Sequence, residues 1–144
     1  MLKELNVQRE KVVISIKIFN ISTDPNDSFS SRKHIIEGIR NSLKKLQLDY
    51  VDVIFWHRYD KYIHLEETCR AMNWVINQGL AHFFAKLQWT APQIIKAYKD
   101  CDKRNLIPLV VEQCNYNMMV RYRVESEYRD LLKNIKWVLL FGFL

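Results

Sequence analysis

Lys17, His57, Lys86, Gln88, Glu112 and Gln113 stand where apolar runs of this chain give way to polar sequence. ISIKIF carries Lys17, and VDVIFWHRYD breaks into His57, Arg58 and Asp60. AHFFAKLQW ends with Lys86 and Gln88, and IPLVVEQ closes on Glu112 and Gln113. A cation, an imidazole, a carboxylate and carboxamides delivered to one end of several strands could form a site built from several strands at once. Every strand also turns polar where it meets solvent, so composition alone leaves both readings open.

The elements that must position these residues repeat about every 30 positions. KVVISIKIF (11–19) is β-branched and reads as a strand. SRKHIIEGIRNSLKKL (31–46) sets Ile35, Ile39, Leu43 and Leu46 on one helical stripe behind a Ser30 or Ser31 cap. YVDVIFW (50–56) is the second strand. LEETCRAMNWVINQ (65–78) follows as a helix with Leu65, Cys69, Met72 and Ile76 in register, stopped by Gly79. LAHFFAKL (80–87) is the third strand, and TAPQIIKAYKDCDKRN (90–105) a helix capped by Thr90 with Pro92 in its first turn. IPLVVEQ (107–113) is the fourth strand, RYRVESEYRDLLKN (121–134) a further helix, and KWVLLF (136–141) a fifth strand. Strict β/α alternation with continuously apolar strands predicts a parallel sheet covered by helices, in a barrel or an open doubly wound sheet.

Several classes of function are disfavoured. The 144 residues, 49% hydrophobic and 12% aromatic, suit one globular domain. The apolar clusters fall short of the roughly 18 residues of a membrane-spanning helix, and MLKELNVQREK is charged rather than signal-like, so a cytoplasmic location is expected. The formal charge of +6 is spread over 22 basic and 16 acidic residues without a basic block, which argues against a nucleic-acid partner. Gly38, Gly79 and Gly142 are too few and too scattered for a phosphate-binding glycine loop. His34, His57, His64 and His82 lack metal-ligand spacing, and His34 and His64 read as surface residues. Cys69, Cys101 and Cys114, odd in number and without a CxxC pair, read as buried free thiols.

The stretches ISIKIFN, SRKHIIEGIRNSLKKLQLDYVDVIFWHRYD, LEETCRAMNWVINQGLA, IPLVVEQCNYNM and RVESEYRDLL, covering most of residues 4–134, resemble the aldo-keto reductases. Within that family they resemble the β-subunits of voltage-gated potassium channels. The resemblance implies a (β/α)8 TIM barrel using NADPH, here a partial barrel of about five parallel strands with intervening helices in one domain, residues 1–144. It places Lys17 on the family's catalytic lysine and His57 on its histidine. Gln113 falls on the glutamine that holds the nicotinamide carboxamide, with Gln88 and Trp89 on the same cofactor-facing segment. It also implies a potassium channel's cytoplasmic domain as a partner, a location peripheral to such a channel without insertion into the membrane, and a homo-oligomer.

The chain departs from the family pattern in ways that bear on chemistry. The family's general-acid Tyr and its Asp partner precede the helix that ends near LKELN, and Tyr59 replaces a proline usual after HR. His57 stands where channel β-subunits often carry Asn. A segment expected to read close to GTSxW is AKLQW (85–89), so Leu87 replaces a small hydroxyl. A whole barrel needs about 250 residues. The expectation is therefore a truncated, catalytically impaired family member with weakened cofactor binding, or a channel-associated binding module rather than a reductase.

Overall fold

The computed structural model describes residues 6–18, 31–56, 63–135 and 138–142. His57, Arg58, Tyr59 and Asp60 lie outside them, as do Ser30 and the first two residues of the expected fifth strand. The described residues form strands β1 (Ser15–Ile18), β2 (Val51–Trp56), β3 (Ala81–Leu87), β4 (Val111–Cys114) and β5 (Val138–Phe141). These alternate with helices α1 (Arg32–Leu46), α2 (Leu65–Asn77), α3 (Ala91–Asp102) and α4 (Arg129–Asn134).

All the strands pair in parallel, in the order β1-β2-β3-β4-β5. A doubly wound sheet must reverse its strand order at a switch point, whereas winding in one direction places every right-handed crossover on the same side. The sheet is thus an arc of a (β/α) barrel. Its helix side buries Ile54, Trp56 and Phe84 against Ile35, Ile39, Met72 and Ile94. Its inner side buries a smaller cluster of Val53, Phe55, Ala85, Leu87 and Val111. Burial of each large aliphatic side chain contributes about 1.5–3 kcal/mol.

Local chemistry sets the boundaries. Ser31 caps α1 by accepting from the His34 N–H at 3.3 Å. Ile35, Ile39 and Leu43 are buried, but Leu46 is 47% exposed because the chain turns left-handed at Gln47 (φ 55°), immediately after it. Gly79 ends α2 at φ 69°, a conformation that strains any residue with a Cβ. At the start of α3, Gln93 Oε1 accepts from the Thr90 N–H at 2.9 Å.

The first and fourth strands are shorter than their sequences suggest. Arg9–Lys11 form a 3-10 turn, and ladder pairing starts only at Ser15, opposite Val53. In the fourth segment Asn73 takes the backbone of Ile107 for itself: its Oδ1 accepts from the Ile107 N–H at 2.7 Å, and its Nδ2 donates to the Ile107 carbonyl at 3.0 Å. Pro108 then offers no N–H. The same Asn73 amide donates to the Cys69 carbonyl at 3.0 Å, which fixes the loop after α3 onto α2. Asn73→Ala would remove the side-chain partner of the part-buried Ile107 backbone groups and of the Cys69 carbonyl, at a cost of about 1–2 kcal/mol. Urea denaturation should show a lower midpoint, and a change below about 0.5 kcal/mol, the size of an ordinary surface substitution, would refute this role for Asn73.

Candidate cofactor-binding site

Register brings three of the expected residues together. Leu87 of β3 pairs with Gln113 of β4, and Lys17 of β1 stands opposite Phe55, whose β3 partner is Ala85, on the same inner side. Just past β3, Gln88 adopts a left-handed conformation (φ 55°) and its N–H donates to the Gln113 carbonyl at 3.2 Å. Lys17, Leu87, Gln88, Gln113, Cys114, Asn115 and Gly142 line one cleft of about 20 Å³. That is room for one water-sized polar group rather than a ring. The Gln113 side-chain oxygen is buried and has no hydrogen-bond partner among the described residues. Its amide rests on the backbone of Gly142, where an added Cβ would sit 2.5 Å from Gln113 Nε2.

Lys86 and Glu112 do not join this cleft, although the sequence suggested that they would reach the strand mouth. They occupy the row Trp56–Lys86–Glu112–Leu139, and strand alternation turns that row toward the helices. There Lys86 Nζ lies 2.7 Å from Glu112 Oε2, with the two side chains 1% and 0% exposed. Burial pushes the Lys86 ammonium down to about 8 in spite of the Glu112 charge. Burial likewise raises the Glu112 carboxyl, against the pull of Lys86, Tyr128 and the Trp89 backbone.

The segment expected to be one helix over 121–134 contains a π-type turn, Arg123–Glu127, before α4 begins. The wider turn aims three side chains at the bend between β3 and α3. Arg123 donates to the Gln88 carbonyl at 3.2 Å, and Glu127 Oε1 accepts from the Ala91 N–H at 2.7 Å. A carboxylate suits that position because the first N–H groups of a helix lack internal partners. The buried Tyr128 hydroxyl donates to the Trp89 carbonyl and lies 3.1 Å from Glu112 Oε1. Burial, together with the Glu112 charge, raises the Tyr128 phenol well above its ordinary range. Sequence reading missed these three residues, since a helical stripe gives no sign of a π turn. The detectable signal was a charge in each of two otherwise apolar strands, AKL and VEQ.

Trp89, expected on the cofactor side, is 2% exposed within the helix-side core. It packs edge-on against Trp56 at 4.9 Å, with Lys86 Nζ 5.0 Å from its ring centroid, and it does not line the cleft. His64 is exposed, whereas His34 is half-buried rather than a surface residue. The three cysteines are buried free thiols. A larger groove of about 290 Å³, between α3 and Ile135, carries none of the expected site residues.

The sequence profile of the aldo/keto reductase family matches residues 1–140. The chain belongs to the aldo/keto reductase family. It is 45% identical over 130 residues to a rice (Oryza sativa subsp. japonica) protein named "Probable voltage-gated potassium channel subunit beta" and 46% identical over 133 residues to an Arabidopsis thaliana protein of the same name. These alignments take in 90% and 92% of this chain and 40% of each relative, so the chain spans about two-fifths of the length of the curated relatives it matches. Among the described residues no helix is long and apolar enough to cross a membrane.

The ion pair behind the cleft makes a prediction about this aldo/keto reductase fold. Lys86→Met alone leaves Glu112 as a buried, uncompensated charge and should cost about 3–5 kcal/mol. The double variant Lys86→Met/Glu112→Leu should recover most or all of that loss. Urea titrations of the two single variants and the double variant form the test, and strictly additive losses would show that the two groups do not act as a pair.

Proposed function

We propose that this chain forms the nicotinamide-facing edge of an NADPH site of the aldo-keto reductase type and is impaired in carbonyl reduction. The observation that carries this reading is the buried, unpartnered oxygen of Gln113 in a cleft shared with Lys17 and Gln88. An acceptor held this way calls for an N–H donor, and a carboxamide supplies one. The residues therefore fit the amide end of a nicotinamide, with Gln113 accepting its N–H and the side chain of Gln88 beside it. NADPH, when bound, would supply hydride. Lys17, exposed at the same cleft, would supply the positive charge that, by the family resemblance, helps a general-acid tyrosine release its proton.

Two features support the impairment. Leu87, 2% exposed and packed in the inner cluster, offers no hydrogen bond where the family resemblance expects a hydroxyl. A cofactor amide left unpaired there loses about 1–3 kcal/mol of binding. Among the described residues no tyrosine lines the cleft to serve as general acid. His57, assigned by resemblance to orient the carbonyl oxygen, remains part of this proposal.

A second reading, a regulatory module bound to the cytoplasmic domain of a potassium channel, is favoured by the names of the two plant relatives. Co-purification with such a domain is its test, and failure to bind would remove it.

For the cofactor reading, NADPH at a hundredfold excess over its Kd should raise the thermal midpoint by several degrees, through about 2.7 kcal/mol of linkage. Gln113→Leu should abolish the shift, and Gly142→Ala, by displacing the Gln113 amide, should reduce it. Leu87→Ser should enlarge the shift at a fixed, subsaturating cofactor concentration. An unshifted melt, or an equal shift in Gln113→Leu, would contradict the assignment.

A further inference from the structure

Gln88 sits where the chain leaving β3 stops alternating. Residues two apart on an extended strand share a face, yet Leu87 packs in the inner cluster and Trp89 in the helix-side core. The left-handed conformation of Gln88 (φ 55°) makes that reversal. A residue with a Cβ disfavours this region by a factor on the order of ten, so groups outside Gln88 must hold it there. Both of its backbone groups are held. The N–H donates to the Gln113 carbonyl at 3.2 Å, and the carbonyl accepts from Arg123 Nη1 at 3.2 Å. Arg123 lies 35 positions away on the π turn and does not line the cleft. Its Nε is 3.6 Å from Glu127 Oε2, and Glu127 Oε1 accepts from the Ala91 N–H at 2.7 Å. The two charged side chains therefore grip the 88–91 bend at both ends.

We infer that Arg123 is a positioning residue for the cleft: by holding the Gln88 carbonyl it keeps Gln88 left-handed, with its N–H on Gln113 and its side chain at the rim. The consequence for binding rests on the cofactor reading proposed above, whereas the conformational role stands on the hydrogen bonds alone. A guanidinium suits the task because its planar fork serves two acceptors at once, the Gln88 carbonyl through Nη1 and the Glu127 carboxylate through Nε. When a binding-competent conformer is only partly populated, the apparent Kd rises by the inverse of its fraction. Releasing Gln88 from Arg123 should therefore weaken NADPH by up to about tenfold, although no group placed at the nicotinamide has been removed.

Two readouts on the full chain test the role. Amide hydrogen exchange without nucleotide should show the Gln88 N–H exchanging at least about threefold faster in Arg123→Met than in the wild-type chain, while the amides of β2 keep their rates. Arg123→Lys, which retains a donor, should restore part of the protection. A fluorescence titration with NADPH should give a Kd raised about three- to tenfold in Arg123→Met. In a Gln88→Gly background the same substitution should raise the Kd by less than about twofold, because glycine takes the left-handed conformation without a Cβ penalty. A Gln88 exchange rate that does not change, or that rises only in step with β2, would overturn the positioning role. Equal losses of affinity in the two backgrounds would overturn it as well. If Arg123→Met frees the Gln88 amide but the wild-type chain binds no NADPH, the positioning role holds and the cofactor reading falls instead.

Discussion

The ion pair between Lys86 and Glu112 is the interaction on which the neighbouring parts of the site depend. It joins β3 to β4 at the level of the cleft, at a 2.7 Å separation with both side chains fully buried. Charges taken out of water in this way hold their place only if attraction and further hydrogen bonds offset the lost hydration. Tyr128 and the Trp89 backbone supply those bonds to Glu112. Through them the pair reaches the π turn, and through Arg123 and Glu127 the π turn holds the bend of residues 88–91. The position of Gln88 at the cleft rim is thus set from behind.

Strand alternation then decides which polar groups face a ligand. One row of the sheet sends Lys86 and Glu112 into the helix layer, and the adjacent rows leave Lys17 and Gln113 on the inner side. The inner cluster of Val53, Phe55, Ala85, Leu87 and Val111 makes an apolar floor. Above it the Gln113 carbonyl already takes the Gln88 N–H, while its buried side-chain oxygen has no hydrogen-bond partner among the described residues. Leu87 at this level extends the apolar floor where a hydroxyl would have made a second polar point. The arrangement favours holding a ligand by one amide edge over gripping it from both sides.

Much of the architecture was legible because its signals are local. β-branched runs, helical stripes, the Ser31 cap and the Gly79 stop each act within a few residues, and the strand and helix order followed from them. The barrel winding became decidable only from strand order. Features that depend on distant partners were not legible. Asn73 shortens β4 from 34 residues away, and the π turn at Arg123–Glu127 is anchored on residues 88–91. The face taken by Lys86 and Glu112 depended on register, since a shift of one residue reverses every side chain. Lys17, Gln88 and Gln113 stood out as polar groups at strand ends, the resemblance gave Lys17 and Gln113 their expected roles, and their meeting at one cleft is a property of the fold. Trp89 was placed by the same resemblance, but packing against Trp56 draws it into the core.

The central claim is that the Gln113 amide is the point at which a nicotinamide is held. The most direct measurement is a titration of the isotope-labelled chain with NADPH, following side-chain amide resonances by NMR. The account predicts saturable shifts of the Gln113 and Gln88 amides while the amide of Gln78, exposed at the end of α2, stays in place. A Gln113 resonance that does not move as NADPH binds, or one that moves no more than Gln78, would contradict it.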